Sequence, residues 1–408
     1  MKFFNRRSIL ALLAITISSA TLSNAAYAQA IRAIEAKLRG SATLSNAAYA
    51  QAKETLKFGL AMPLSGSQAL YGADQVKASQ WAVADINAKG GVNGKMLEMI
   101  VLDTQADPQL GINAVKRLTS VDNVPVFITA WSAVVKAVAP IANRDKVLEL
   151  SVGANSPEIA KLGDYVYTTF PLAEVDVSGL AKYTFATLGK KTAAIMYINN
   201  DSGVEGAAIY KSEFEKAGGK VVAYEAYDTK ATEFTGALLK VKAANPDMIH
   251  IQGLVSDIPQ VIAQMRQLGL QQRVSTYSVG YNPKIIEQLG TAAEGLIVTS
   301  LAPGVSDNPN VGTFIQRWKD TEKRVPNGLP YTQYLYDGPY LVAELYKWLE
   351  QNKLPATGEN MRKALITVKN FELPMTGGLQ VGEDHRVNKP VYLLTVDKGQ
   401  FVPLATIK

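Results

Sequence analysis

Two histidines and no cysteine limit the covalent chemistry open to this 408-residue chain. His250 lies inside the apolar stretch Met248–Ile251, and His385 lies in the polar run Gly382–Val387. Neither is matched by a G-x-S-x-G nucleophile elbow, and the sequence holds no H-E-x-x-H pair and no Walker phosphate loop. Gly90–Lys95 shares only its glycines and lysine with a phosphate loop and reads as a turn. Asp103, Asp107, Glu383 and Asp384 lack metal-ligand spacing and read as solvated loop carboxylates. Without thiols there is no disulfide framework, no thiolate metal site and no lipid-anchor cysteine. The expectation is a protein with no catalytic residue, no metal and no cofactor, so the chemistry left is recognition.

The elements that would position a recognition site alternate regularly. The apolar run Leu56–Met62 reads as a buried strand ending in the turn Pro63-Leu64-Ser65-Gly66. Leu70–Ala88 follows with a helical period, its apolar set being Val76, Trp81, Val83, Ala84 and Ile86. Gly90-Gly91 stops it, and Asn93-Gly94 turns the chain into Met96–Asp103, completing a βαβ unit. Further strands are expected at Val124–Thr129, Val147–Ser151, Ala193–Ile198, Val221–Tyr224, Met248–Ile251, Val274–Ser278 and Leu296–Thr299, with helical stretches between them. Beyond Pro303 come three helical stretches, Val311–Arg324, Tyr331–Asn352 and Gly358–Thr367. Strands at Gly378–Val381, Lys389–Asp397 and Gln400–Ala405 end the chain. This pattern predicts an α/β protein with open parallel sheets and helices on both faces.

The N-terminus reads as an export leader. Lys2, Arg6 and Arg7 precede the apolar Ile9–Ile17, too short to span a bilayer, and Ala28 or Ala30 offers a cleavage site. SATLSNAAYAQA occurs at Ser19–Ala30 and again at Ser41–Ala52, so residues 31–52 read as a duplicated insertion. Six of the 42 Lys/Arg and one of the 36 Asp/Glu fall within residues 1–52. The remainder therefore carries 36 basic against 35 acidic residues, near +1 rather than +6. That balance removes the support for a nucleic-acid partner. About 356 residues after Ala52 suffice for two domains.

The segment FGLAMPLSGSQALYGADQ resembles the opening of the periplasmic leucine/isoleucine/valine-binding family of ABC-transporter solute receptors. Four later blocks follow in the family's order: Val138–Ala142, Gly153–Glu158, Ile198–Asp201 and Ala292–Gly295. The resemblance implies a type I periplasmic binding fold, with two doubly wound parallel-sheet lobes joined by three crossover segments near Pro171, Pro303 and Met375. Residues 54–171 with 304–375 would form one lobe and 172–303 with 376–408 the other. It also implies a soluble periplasmic monomer that hands a small ligand to a membrane ABC permease.

The resemblance places Pro63, Ser65, Gly66, Tyr71 and Gly72 at the ligand cleft. It gives the ligand's carboxylate to two turns, Trp131-Ser132-Ala133 and Ala154-Asn155-Ser156, where helix N-termini offer free N–H groups. Ser132 is placed as an N-cap, and Ser132 and Ser156 could equally be ordinary caps. The second lobe departs from the amino-acid-binding pattern. Ser278, or nearby Tyr277, stands where a carboxylate would pair an ammonium, and no Asp or Glu lies between Gln272 and Lys284. Ser202 replaces one family aromatic, and Leu254 or Val255 replaces a tyrosine. A buried ammonium without a counter-charge costs several kcal/mol. Tyr71, Trp131, Tyr281 and Tyr331 would supply flat walls instead. An aromatic monocarboxylate fits best, with a branched-chain or other amino acid as the alternative. Outside this class stand a ligand sensor, for which the chain shows no membrane span or DNA-binding motif, and an exported hydrolase, for which it shows no base.

Overall fold

The computed structural model describes residues 55–305, 307–387 and 389–407, so the expectations for the leader, residues 1–52, lie outside the described residues. Five strands build the first sheet: β1 (Thr55–Met62), β2 (Met96–Asp103), β3 (Val126–Thr129), β4 (Leu148–Ser151) and β5 (Val166–Thr168). They run parallel in the order β2-β1-β3-β4-β5. Helices α1 (Ala69–Ala88), α2 (Pro108–Ser120) and α3 (Ser132–Asp145) connect the first four. α4 (Ala173–Ala186) then leads to a second sheet with the same plan. Its strands β6 (Thr192–Ile198), β7 (Lys220–Tyr227), β8 (Met248–Gln252), β9 (Arg273–Thr276) and β10 (Ile297–Ser300) are parallel in the order β7-β6-β8-β9-β10. α5 (Asp201–Lys216), α6 (Thr235–Ala244), α7 (Ile258–Gln267) and α8 (Pro283–Leu289) are the connections.

After β10 the chain returns to the first sheet. α9 (Pro309–Glu322), α10 (Leu329–Gln351) and α11 (Gly358–Val368) follow, with α10 packed along α1 and α11 against α10 and β4. The hairpin β11 (Asn370–Leu373) and β12 (Gly377–Gln380) precedes β13 (Val391–Asp397) and β14 (Gln400–Ile407), which extend the second sheet beyond β10. Both added strands are antiparallel, so this sheet is mixed rather than wholly parallel.

The sequence explains these elements locally. β3 reads VFIT and is buried along its whole length, as a strand covered on both faces must be. α2 opens on Pro108, its Leu110 N–H taken by Asp107 at 2.9 Å. Asp107 is therefore a helix cap rather than a solvated loop residue. Ala114, Val115 and Leu118 bury the inner face of α2. A fully buried leucine such as Leu118 contributes about 2–3 kcal/mol. In α1 the buried stripe includes Val76, Ala78, Ala82 and Ile86, while Ala84 is exposed, so the expected apolar set was out of phase at that residue. β9 stops at Thr276 because Ser278–Gly280 forms a 3-10 turn. No helix among the described residues is long and apolar enough to cross a membrane.

Candidate functional site

Each sheet reverses its strand order at one point, between β1 and β3 in the first and between β6 and β8 in the second. Ligands of open α/β sheets bind outside the carboxyl ends of the strands at such switch points. Here the loops leaving both sets of strand ends enclose one cavity of about 620 Å³, its open mouth included. Gln68, Tyr71, Gln75, Trp131, Ser132, Gly153, Ala154, Asn155, Gly328 and Tyr331 line it from the first-sheet side. Ser202, Leu254, Val255, Tyr277 and Val279 line it from the other. Among the described residues, no Asp, Glu, Lys or Arg lines this inner cavity. A wider vestibule continues outward past Trp131, Ser132, Ala133, Ser202 and Leu254 to Asp201, Lys230 and Asp257.

Eight of the twelve expected site residues thus face the inner cavity, and Ala133 faces the vestibule. Ser156 and Ser278 are buried beside it, outside its lining. Tyr281 is not brought there: its ring meets Phe401 edge-on at 5.0 Å, because the 3-10 turn after β9 directs it toward β14. The same turn makes Tyr277, not Ser278, the residue that lines the cavity.

On the first-sheet side, Trp131 caps α3 with φ 65° and ψ 117°. That conformation is a strained one for a bulky residue, worth about 1–3 kcal/mol. Ser132 is the first helical residue rather than the cap expected of it. Its N–H and that of Ala133 have no acceptor within the helix and remain available to an anion. The Ser132 hydroxyl accepts the Ser156 N–H at 3.3 Å, tying the two turns together. Asn155 is 5% exposed, and its Nδ2 has no partner. Gly153 is at φ 92°, and a Cβ there would lie 3.0 Å from the Tyr331 ring. Tyr331 stacks on Phe170 at 5.0 Å and meets the Ser278 hydroxyl at 3.1 Å, a contact between the two sides of the cleft. Burial pushes the Tyr71 and Tyr331 phenols well above their ordinary range, so both walls are neutral.

The turn after β1 is set by two contacts. A Cβ on Gly72 would sit 1.7 Å from the Pro63 carbonyl oxygen, so only glycine lets α1 start this close to the turn. The Ser65 hydroxyl donates to Asp103 at 2.6 Å, and the amides of Leu64, Ser65 and Gln105 donate to the same carboxylate. Burial opposes that charge, yet these hydrogen bonds hold Asp103 below the usual carboxylate range. Asp103 is thus a turn anchor, not a free loop acid. Ser65 is committed to it, while Tyr71 alone of the five turn residues lines the inner cavity.

Among the described residues, the carboxylates nearest the cleft are hydrogen-bonded or ion-paired within the protein. Asp176 is fully buried and accepts the hydroxyls of Ser278 and Thr299 and the Ser278 amide. Glu205 accepts from Ser156 and pairs with Lys136 at 2.7 Å. Asp257 accepts from the Tyr227 phenol at 2.7 Å and the Leu254 amide. The acid absent from the sequence around Ser278 is supplied in space by Asp176, one hydrogen bond behind the cavity wall. His250 is buried in the second sheet, with Ser275 at one ring nitrogen and Gln252 at the other. His385 places its Nδ1 2.9 Å from the Val166 carbonyl oxygen. Neither lines the cavity. No cluster of three or more metal-ligating side chains occurs among the described residues.

A family model described as periplasmic binding protein matches residues 55–400. The chain belongs to the periplasmic binding protein family. A leucine-, isoleucine-, valine-, threonine- and alanine-binding protein of Pseudomonas aeruginosa is 27% identical over 279 residues, 68% of this chain and 74% of that protein. The crystal structure of a leucine-binding protein from Thermotoga maritima has a TM-score of 0.78 at 23% identity, covering 86% of this chain and 98% of its own. A solute-binding protein of an ABC transporter from Rhodopseudomonas palustris, in complex with 3,4-dihydroxybenzoic acid, has a TM-score of 0.74 at 23% identity, covering 86% and 97%. These likenesses bear out the two-lobed type I fold. Relatives in the periplasmic binding family are receptors rather than enzymes.

The sequence reading missed Gln68, Gln75 and Val279. Gln68, Tyr71 and Gln75 recur at helical spacing on the cavity face of α1, a signal present in the sequence. Val279 reaches the cavity only through the turn after β9, which no local motif announced.

Proposed function

We propose that this protein is the solute-binding component of an ABC transporter, capturing a small aromatic monocarboxylate between its two lobes and passing it to a membrane permease. The observation that carries the ligand class is the uncharged inner cavity. A carboxylate is served where the cavity opens to the vestibule by the N–H groups of Ser132 and Ala133, in the first turn of α3. An amino acid's ammonium would meet no carboxylate among the described residues that line the cavity, since Asp176 is fully buried behind Ser278 and Glu205 is paired with Lys136. Tyr71, Trp131, Tyr277 and Tyr331 offer faces to a ring. The same fold carries leucine-binding and dihydroxybenzoate-binding proteins, so the decision rests on these side chains. The protein would work in the periplasm once its leader is removed.

Thermal melting with benzoate and cinnamate against leucine, isoleucine and valine tests this. An aromatic acid at ~100 times its dissociation constant adds about 2.7 kcal/mol of stability. Stabilisation by leucine with none by the aromatic acids would refute the ligand class and favour the amino-acid receptor that the Pseudomonas relative exemplifies.

A further inference from the structure

The inner cavity and the vestibule share five lining residues, Gln68, Trp131, Ser132, Ser202 and Leu254. Three of these have a side-chain amide or hydroxyl. The Ser202 hydroxyl donates to Asn200 at 3.2 Å, and the Ser132 hydroxyl accepts the Ser156 amide. The Gln68 side-chain amide makes no hydrogen bond among the described residues. Gln68 stands at the start of α1, yet its side chain does not cap the helix. It is half-buried, at helical spacing from Tyr71 and Gln75 on the face turned to the cavity. Its hydrogen bonds to the fold come from its backbone carbonyl, which takes the Tyr71 and Gly72 amides at 3.1 and 3.0 Å.

At the same junction the first turn of α3 offers the Ser132 and Ala133 N–H groups. A carboxylate has about four lone-pair sites, so two backbone donors leave it half satisfied. We infer that Gln68 is a specificity-determining residue of the cleft, its side-chain NH2 giving the ligand's carboxylate a further donor from α1 while α3 supplies the backbone N–H groups. This rests on the reading of the ligand as a carboxylic acid. No bond holds the Gln68 amide in one sense, so its NH2 end can turn to the anion. An amide suits a cavity whose described lining has no lysine or arginine, since it serves an anion without placing a charge in the empty cleft.

The test is calorimetric titration of the wild type, Gln68→Met and Gln68→Glu with benzoate, at low and at high salt, with leucine as the second acid. Gln68→Met keeps the side chain's length and loses the donor, and should bind benzoate about fivefold more weakly. Gln68→Glu sets a like charge against the carboxylate. Its affinity should fall about tenfold or more at low salt and recover part of that loss at high salt, while the Gln68→Met deficit stays constant. A merely structural defect would not answer to salt in this way. Because the Gln68 side chain makes no bond, both variants should melt within about 2 °C of the wild type without ligand. A Gln68→Met affinity equal to that of the wild type, or a Gln68→Glu deficit that salt leaves unchanged, would overturn the assignment and leave the aromatic-acid reading standing. Leucine bound with no benzoate bound would overturn the aromatic-acid reading instead. The same variants then decide Gln68 with leucine, whose affinity they must lower in the same pattern, and an unchanged affinity would overturn the assignment as well.

Discussion

The Ser278 hydroxyl donates to the Asp176 carboxylate at 2.7 Å across 102 residues of sequence. The Ser278 amide and the Thr299 hydroxyl donate to the same group. Three donors therefore converge on one buried acid just behind the cavity, and through Ser278 they reach the Tyr331 phenol. Asp176→Ala would leave these donors without an acceptor, at a cost of about 3 kcal/mol. Denaturant melts measure it, and a loss below about 1 kcal/mol would show that Asp176 does not anchor this corner. Burial raises the Asp176 pKa despite those hydrogen bonds. The unfolded chain therefore loses its proton first, and the group's contribution to stability declines as pH rises above the ordinary carboxylate value.

Lys136 of α3 pairs with Glu205 at 2.7 Å and Asp201 at 3.2 Å, both on α5, and Ser156 donates to Glu205. These contacts join elements of the two sheets at the vestibule. Burial alone would lower the lysine's pKa, but the two carboxylates hold it above its ordinary value. Partly exposed pairs of this kind are worth about 0–1 kcal/mol. Lys136→Ala should therefore weaken ligand binding only about two- to fivefold, and salt should weaken the wild type more than the variant. Small-angle scattering should show a smaller radius on binding in the wild type, as hinge closure requires. Equal salt dependence in both proteins would exclude a closing role for this pair.

The fold was legible because β3, β4 and β8 are short apolar runs punctuated by capped helices, so their order could be read without any partner. Three-residue β5 escaped because a strand that short carries no period, and α8 because seven residues make barely two turns. The turns at Ser132 and Asn155 were legible since a strand end followed by a helix start is a local event. Asp176 was not, since nothing in a sequence marks which of 36 acids will fold against Ser278. Tyr281 was misplaced for a related reason: one 3-10 turn rotates each residue after Thr276 out of strand alternation.

Trp131 combines a cavity-facing ring with a backbone at φ 65°. Trp131→Ala keeps the strain and removes the ring, so an aromatic acid stacked there should bind more weakly by about 1–3 kcal/mol. Trp131→Gly removes the ring and relieves the strain, so its unliganded form should be the more stable of the two by about 1 kcal/mol. Titration calorimetry and thermal melting separate the two effects. Unchanged affinity in both variants would move the ligand away from the indole.

His250 lies fully buried, stacked on Tyr210 at 3.9 Å with an interplanar angle of 8°. Its ring nitrogens meet Ser275 at 3.2 Å and Gln252 at 3.0 Å. Burial lowers its pKa from 6.5 to about 4, against smaller upward effects of the Gln252 and Ser275 hydrogen bonds. Between those two values the unfolded chain binds a proton that the folded chain refuses. Folding stability from this group is thus complete above pH 6.5 and declines as pH falls toward 4, by about 3 kcal/mol in all. Glu149 and Asp337, raised by burial to about 8 and about 6, slope the other way, because each keeps its proton in the folded state. The wild-type profile is the sum of these, and the difference from a non-titrating variant isolates the histidine. His250→Gln should be less stable than wild type at pH 7 through lost stacking, and that deficit should narrow steadily between pH 6.5 and 4. Parallel stability profiles for the two proteins across that window would show that His250 titrates alike in the folded and unfolded chains, and that its burial carries no linkage to pH.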